Sequence, residues 1–251
     1  MLVALAAVAV ALAQTPLPKA HSHNDYLGDR PLLDALDAGF CSVEADVFLV
    51  DGELRVAHDL KDARPGKTLR SMYLEPLAQR VRANGGRVYP GGLEVWLLID
   101  VKQDGEKAWQ AIRRELKEFQ FMLAKADKPG AVRVVISGDR AVASISGDPD
   151  RLAGLDGRLG DLPSRYTYSQ MPMVSASWMD HFKYRGTPLG ETERMTLRSL
   201  VRQVHREGRR IRFWGVPDTP VYWQETLDAD VDFVNTDNPA KVAAWFASRP
   251  F

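Results

Sequence analysis

The sequence predicts a (β/α)8 TIM barrel that forms a single domain, and three observations support this fold. The chain has 251 residues, which is the usual length of one such barrel. Hydrophobic residues make up 45% and charged residues 26%, as in ordinary globular proteins. Short apolar runs with strand-like composition alternate with helical patterns, and this alternation indicates parallel strands joined by crossover helices.

Eight short runs are the candidate strands, and helical patterns lie between them. The candidate strands span residues 18–23, 41–49, 94–101, 131–137, 155–159, 171–177, 210–215 and 231–236. The helical patterns span residues 31–38, 105–122, 191–207, 220–227 and 239–247. Eight strands in a chain of this length favour a closed barrel over an open, doubly wound sheet.

The helices are predicted from their end signals and from their apolar period. Pro31 and Gly39 are the expected start and stop of the first helix. The two longest helices repeat apolar residues at helical spacing, and Gly208 ends the second of them. These residues are Trp109, Ile112, Leu116 and Phe119 in the first helix, and Leu197, Leu200, Val201 and Val204 in the second.

The overall charge and the cysteine content exclude several classes of protein. Lys and Arg together number 33, as do Asp and Glu, so the formal net charge is zero. A bulk electrostatic attraction to nucleic acid or to an anionic membrane is therefore not expected. The single cysteine, Cys41, excludes an intramolecular disulfide bond.

Residues 1–13 are an apolar run without a charged or polar side chain. The run ends in a small-x-small pattern at Ala13, so we predict a cleaved signal peptide, an exported protein (secreted or periplasmic), and a barrel spanning 14–251. Thirteen apolar residues are too few for a stable membrane span. The basic residues that usually precede such a run are missing, and a buried first strand or helix is the alternative.

Polar residues at the C-terminal ends of strands are candidates for function, because the active sites of such barrels lie there. The first strand ends in His21 and His23, which share a face and suit metal binding or general acid–base chemistry. The second strand carries Glu44 and Asp46 at the same spacing among apolar neighbours. If that face is the barrel interior, the two carboxylates need a cation, and oxygen ligands favour Mg²⁺ or Ca²⁺. A solvated strand face is the alternative.

The third strand ends in Asp100 and Lys102, which also share a face. Asp100 closes a run of four apolar residues and is a candidate third carboxylate ligand, because burying it alone would be costly. Lys102 is a candidate for binding a phosphate or for stabilising developing negative charge. An ion pair between the two at the strand end is the alternative.

A third histidine, His58, follows an Asp51-Gly52 turn that predicts a β-hairpin. The hairpin brings His58 to the level of Glu44 and Asp46. Simple pairing through a two-residue turn places His58 opposite Ala45, on the face away from the carboxylates. A bulge or a divergence of the two strands is therefore needed to aim His58 at a metal.

The later strand ends carry weaker signals. Ser175 lies near the end of the sixth strand, and Arg212 and Trp214 share a face of the seventh. Asp237 follows the eighth strand, and together with Pro239 it also has the pattern of a helix N-cap, which is its structural alternative.

In this order the residues resemble the superfamily of glycerophosphodiester phosphodiesterases and phosphatidylinositol phospholipase C-like barrels. The resemblance rests on His23, Glu44-x-Asp46, His58-Asp59, Asp100-x-Lys102, Trp214 with Asp218, and residues 234–237 with Pro239. The family of altered inheritance of mitochondria protein 6 is a closer match, over about residues 21–245. The segments similar to that family are 23–26, 31–36, 98–102, 136–138, 156–159, 174–178 and 212–214.

The resemblance implies a metal-dependent phosphodiester hydrolase that acts on a small-molecule or lipid phosphodiester. Glu44, Asp46 and Asp100 would hold one divalent cation, Mg²⁺ or Ca²⁺. His23 and His58 would be the catalytic general acid and base. Substrate binding would involve Lys102, His21, Asn24, Ser175, Trp214 and Asp237.

Two departures from the phosphodiesterase pattern concern the substrate more than the reaction. The phosphodiesterases usually have Arg-Gly after the first histidine, whereas Asn24 and Asp25 stand here. They usually have Glu as the third ligand, and Asp100 resembles the sphingomyelinase D branch instead. The resemblance therefore implies the reaction type more firmly than the alcohol groups of the substrate.

Two alternative functions fit parts of the pattern. A binuclear metallohydrolase of the amidohydrolase or histidinol-phosphatase type would use His21, His23 and Asp237, but it needs further histidines at the middle strands. His181 falls in a loop and His205 in the last turn of a helix, where a structural role is expected. A secreted barrel that binds a phosphorylated ligand without turnover is the other alternative.

Overall fold

Nine strands and seven helices follow one another in the computed structural model, which describes residues 15–126, 128–183 and 186–249. The strands are β1 (Leu17–Ser22), β2 (Phe40–Val50), β3 (Glu53–Val56), β4 (Val95–Val101), β5 (Val132–Gly138), β6 (Gly154–Gly157), β7 (Met173–Ser177), β8 (Arg210–Trp214) and β9 (Val234–Thr236). The helices are α1 (Leu33–Asp37), α2 (Glu75–Ala83), α3 (Gly105–Glu118), α4 (Val142–Ser146), α5 (Glu191–His205), α6 (Pro220–Asp228) and α7 (Pro239–Ala247).

Eight of the strands are parallel and form a barrel. Their order is β8-β7-β6-β5-β4-β2-β1-β9, and β3 pairs only with β2, as the antiparallel arm of a hairpin. A parallel bridge between Arg212 of β8 and Phe233, just before β9, brings the two edges of the sheet together. The predicted (β/α)8 barrel is therefore confirmed.

The candidate strands all correspond to observed strands, with ends that differ by up to three residues. The sequence analysis did not predict α2 and α4. Helix α2 does carry a helix signal, because Pro76 lies in its first turn and it buries Leu77, Ala78 and Val81 along one face. Helix α4 has only five residues, too few for a period to be read from sequence.

Two apolar clusters fill the molecule, because side chains alternate between the two faces of each strand. The larger cluster lies between the sheet and the helices. The smaller one lies inside the barrel and consists of Trp96, Leu98, Val135, Met173 and Phe233. On the same inward faces, polar residues replace apolar ones toward the C-terminal ends of the strands.

The predicted signal peptide, residues 1–13, lies outside the described residues. Among the helices of the described part of the chain, none has the length and apolar character needed to cross a bilayer.

Candidate active site

Three carboxylates meet inside the C-terminal end of the barrel. Glu44 and Asp46 are two residues apart on β2, and Asp46 is directly in register with Asp100 on β4. One oxygen from each side chain lies within 4.8 Å of the others. Glu44 and Asp46 are 2% and 1% exposed, so the alternative of a solvated strand face is wrong. The predicted trio of oxygen ligands is brought together by strand pairing alone.

A buried arginine from the opposite side of the barrel binds the deepest carboxylate. Arg212 on β8 is 2% exposed, and its Nη1 donates to Glu44 Oε2 at 2.7 Å while Nη2 lies 3.4 Å from Oε1. Burial raises the pKa of Glu44, but Arg212, assisted by His23, outweighs it and holds that pKa well below its usual range. Glu44 is therefore ionised.

His21 and Ser175 lie beneath the carboxylates and support this arginine. Arg212 Nη1 donates to His21 Nε2 at 2.6 Å, so the ring proton is on Nδ1, which donates to Ser42 Oγ at 2.7 Å. Burial and the nearby Arg212 lower the pKa of His21 to about 4, which agrees with a neutral ring. Arg212 Nε lies 3.3 Å from Ser175 Oγ.

The structure places His21 and Ser175, both predicted to bind substrate, a layer below the mouth of the barrel. His21 is fully buried and Ser175 is 1% exposed. Both nitrogens of His21 and the hydroxyl of Ser175 are used in the Arg212 network. The signal that placed them at the site, a polar residue on an inward face, does not distinguish a rim residue from one a layer deeper.

Lys102 bridges the other two carboxylates. Its Nζ is 2.7 Å from Asp46 Oδ2 and 3.5 Å from Asp100 Oδ2. Burial would lower the pKa of Lys102, but Asp100 and Asp46 raise it above its usual value, so the amine stays charged. Burial, together with Glu44 and Asp46, raises the pKa of Asp100 to about 6 despite Lys102. The cluster thus carries more negative charge than its two cations balance.

A glycine on the next strand makes room for Asp100. Gly138 ends β5 opposite Val101 and has a φ of 70°, in the left-handed region. A Cβ at this position would overlap Asp100 Oδ1 and the carbonyl oxygen of Val101. Residue 138 must therefore lack a side chain for Asp100 to reach the cluster.

His23 stands at the rim and is held by an aspartate. Its Nδ1 is 2.6 Å from Asp237 Oδ1, and its Nε2 is 3.6 Å from Glu44 Oε2. Burial lowers the pKa of His23, but Asp237 and Glu44 outweigh it and raise that pKa above its usual value. Asn24 Nδ2 lies 3.3 Å from the same Asp237 oxygen.

The N-cap interpretation of Asp237 is wrong. Asn238, the next residue, caps α7 by accepting a hydrogen bond from the Lys241 amide. Asp237 is thereby left to hold His23. A cavity of about 520 Å³ opens beside these residues, between the β1–α1 loop and the start of α7, with His23, Asn24 and Asp237 among its lining.

His58 lies just beyond the last paired residues of the hairpin. Regular pairing of β2 with β3 ends at Val47 and Val56, and Ala57 N then donates to the carbonyl of Asp46. Beyond that point His58 Nδ1 lies 3.3 Å from Asp46 Oδ2. Pairing therefore stops before His58 would face Ala45, and the His58 side chain lies against the carboxylates.

Tyr26 and Arg212 are the functional residues that the sequence analysis did not assign. The hydroxyl of Tyr26 donates to Asp46 Oδ2 at 2.6 Å and lies 3.1 Å from His58 Nδ1. Tyr26 stands three residues after His23, and the tight turn that brings it back is not visible in a periodicity. Arg212 did carry a signal, a charged residue on the inward face of a short strand. Trp214 is exposed at the mouth.

The chain is similar to known proteins over most of its length. Residues 12–87 match the family described as AIM6-like phosphodiesterase domain. The chain is 30% identical over 266 residues to the altered inheritance of mitochondria protein 6 homolog of Arthroderma benhamiae, covering 92% of this chain and 84% of the relative. It is also 30% identical over 263 residues to altered inheritance of mitochondria protein 6 of Eremothecium gossypii, covering 88% and 68%.

This chain belongs to the altered inheritance of mitochondria protein 6 family. The family match spans β1, β2 and the hairpin, and thus includes His23, Glu44, Asp46 and His58. The two relatives extend the similarity over most of the barrel. The resemblance to this family is therefore confirmed, and the phosphodiesterase name of the matched family indicates the general activity.

Proposed function

We propose that this member of the family hydrolyses phosphodiesters with one divalent cation held by Glu44, Asp46 and Asp100. The observation that carries the proposal is the pairing of two histidines with a buried carboxylate cluster. His23 lies beside Glu44, and His58 lies beside Asp46, each at the mouth of the barrel. The name of the matched family, AIM6-like phosphodiesterase domain, supports the same reaction class.

The donor set fits Mg²⁺ or Ca²⁺. The three side chains offer only carboxylate oxygens, which are the ligands that these ions prefer. Lys102 and Arg212 leave one negative charge of the three unbalanced, and the raised pKa of Asp100 reflects this excess. A cation bound there would neutralise charge on the phosphate oxygens as the ester bond breaks.

The two histidines are placed for proton transfer. Asp237 holds His23 through Nδ1, which fixes the ring and favours its protonated form. Tyr26 lies beside His58 Nδ1, and His58 is largely exposed at the mouth, so its other nitrogen is available to a reacting group. One histidine would activate the nucleophile and the other would protonate the leaving alkoxide. Lys102 would assist in holding the phosphate.

The substrate is proposed to be a small-molecule or lipid phosphodiester. The cavity beside His23 offers Asn24 and Asp237 to hydroxyl or amine groups of the alcohol. Export, proposed from residues 1–13, would place the enzyme outside the cell or in the periplasm.

Hydrolysis of a substrate panel tests the proposal. We expect turnover of at least one glycerophosphodiester, lysophospholipid or chromogenic phosphodiester, loss of that turnover with EDTA, and its recovery on adding Mg²⁺ or Ca²⁺. His58→Ala should lower kcat/KM by about a hundredfold or more. His205→Ala is the matched control, since His205 bonds Asp232 at the end of α5.

Several outcomes would contradict the proposal. Full hydrolysis in EDTA would remove the cation from the reaction, and wild-type turnover by His58→Ala would remove His58. Two tightly bound zinc ions per chain would support the binuclear alternative, although the carboxylate trio of the described residues includes no histidine. An inactive panel with retained binding of a phosphorylated ligand would support the non-catalytic barrel.

A further inference from the structure

We propose that the buried Arg212 couples the binding of the cation to the binding of the phosphodiester, because it competes with the cation for Glu44. This inference rests on the proposed function and extends it to how the charges of the site link the binding of the two ligands. Arg212 contacts neither the mouth nor the other two carboxylates in the hydrogen bonds observed, so its effect would pass through Glu44. It is therefore a positioning residue.

The guanidinium of Arg212 lies against the Glu44 oxygens that the cation would use. Arg212 Nη1 occupies Glu44 Oε2 at 2.7 Å, and Nη2 lies near Oε1. The guanidinium is itself fixed by His21 and Ser175 and is buried, so it stays beside Glu44. A cation that takes Glu44 as a ligand must share these oxygens with a permanent positive charge.

The charged side chains of the cluster do not balance one another. Glu44, Asp46 and Asp100 contribute three negative charges, and Arg212 and Lys102 contribute two positive ones. His21 is neutral because its Nε2 accepts from Arg212. Of the neighbouring charged groups, Asp237 pairs with His23 and Asp156 with Arg158, whereas Asp25 and Asp218 accept hydrogen bonds from neutral donors and lie outside this cluster of five groups.

The cation and the phosphodiester change the net charge of the cluster in opposite directions. A divalent cation turns one excess negative charge into one excess positive charge, in a buried place where excess charge is costly. A phosphodiester carries one negative charge, so the cluster of Glu44, Asp46, Asp100, Lys102 and Arg212 is balanced only when the cation and the ester are both bound. Each should therefore strengthen the binding of the other, and by linkage the two effects are equal.

Removing Arg212 should act on the two ligands in opposite directions. Without the guanidinium the cluster keeps two excess negative charges, so a divalent cation alone balances it. Arg212→Met should then bind Mn²⁺ about tenfold more tightly and, with Mn²⁺ bound, dimethyl phosphate about tenfold more weakly. A variant that only loosened the site would weaken both.

The experiment measures two dissociation constants on the full chain. Mn²⁺ binding is followed by electron paramagnetic resonance with and without dimethyl phosphate, a phosphodiester that reports binding without turnover. Dimethyl phosphate binding to the Mn²⁺-loaded protein is followed by phosphorus relaxation. In the wild type, saturating dimethyl phosphate should lower the Mn²⁺ dissociation constant by about tenfold.

Two further variants serve as controls. Arg210→Met removes one positive charge from the same face of β8, two residues away, where Arg210 stacks over Trp96 and Phe233. It should leave both constants within about twofold of the wild type. Arg212→Lys keeps the positive charge. It should therefore not show the tighter Mn²⁺ binding and the weaker dimethyl phosphate binding expected of Arg212→Met.

The results separate this inference from the proposed function. Mn²⁺ binding that is unchanged or weakened in Arg212→Met, or a wild type without linkage between Mn²⁺ and dimethyl phosphate, would overturn the inference while leaving metal-dependent hydrolysis in place. Absence of Mn²⁺ binding from every variant would overturn both. If Arg212→Met does not fold, Arg212→Gln, which removes the charge but keeps a hydrogen-bond donor for Glu44 and His21, decides the outcome by the same two dissociation constants.

Discussion

The two halves of the barrel interior use the same strands for different purposes. On β4, Trp96 lies in the lower, N-terminal half and Asp100 in the upper half, with Leu98 between them. On β8, Arg210 lies in the lower half and Arg212 in the upper. Two residues along a strand thus separate packing from chemistry, since successive inward positions lie about 7 Å apart.

The two arginines show how the surroundings decide what one residue type does. Arg210 lies 4.7 Å from the ring centre of Trp96, which itself packs edge-on against Phe233. Its guanidinium covers an apolar cluster and gains a cation–π contact. Arg212 is buried among polar groups and neutralises Glu44 instead. A buried ion pair contributes little net stability, so we assign stability to the lower half and function to the upper half.

The largest expected effect is the loss of activity in Asp46→Asn. Asp46 is the carboxylate that Tyr26, Lys102 and His58 all contact, and the amide would lose both the charge and the cation. We expect kcat/KM to fall by roughly a thousandfold, about 4 kcal/mol of transition-state stabilisation. Steady-state kinetics on the best substrate of the panel provides the measurement.

Asp148→Asn is the matched control for that prediction. Asp148 is also a buried aspartate in an ion pair, in its case with Arg113, but it lies outside the barrel mouth. Its loss should lower thermal stability and leave kcat/KM unchanged. Equal losses of activity in both variants would mean that Asp46 acts through stability alone.

A variant of the lower half should lose stability and keep its affinity for Mn²⁺. Trp96→Ala removes a buried ring from the apolar cluster, and we expect the free energy of unfolding to fall by about 3–5 kcal/mol. Mn²⁺ affinity, measured where the variant is still folded, should stay within about twofold of the wild type. Denaturant unfolding and Mn²⁺ titration check the two parts. A large loss of Mn²⁺ affinity would show that the two halves are not separable.

The smallest expected effect is a loss of Mn²⁺ affinity in Gly138→Ala, which tests whether Gly138 belongs to the functional upper half. Gly138→Ala should push Asp100 away from the cluster and weaken Mn²⁺ binding by about tenfold, because the new methyl group overlaps Asp100 Oδ1. Gly208→Ala is the control, since Gly208 has a similar φ of 68° and a Cβ there meets open space. Both variants carry the backbone strain of an alanine at positive φ. Similar Mn²⁺ affinities in the two would place the effect in the backbone and not at Asp100.

Much of the site could be predicted from the sequence because strand geometry is local. The spacing of Glu44 and Asp46 puts them on one face in any strand, and Asp100 ends the neighbouring strand at the same level. His58 was harder, because its direction depends on where β2 and β3 stop pairing. The buried position of His21 and Ser175 could not be predicted, since depth within the barrel is not a property of the strand that carries them.

By itself the sequence determined the order of strands and helices, the inward faces and the family, because these depend on periods and motifs within short segments. The tertiary structure decided which groups became partners across the barrel. Arg212 and Glu44 are 168 residues apart, as the closure of the sheet brings β8 opposite β2. Tyr26 joins His58 to Asp46 through a turn and a diverging hairpin. Such contacts depend on strand stagger and on which buried charges must balance, and both arise only when the whole barrel has closed.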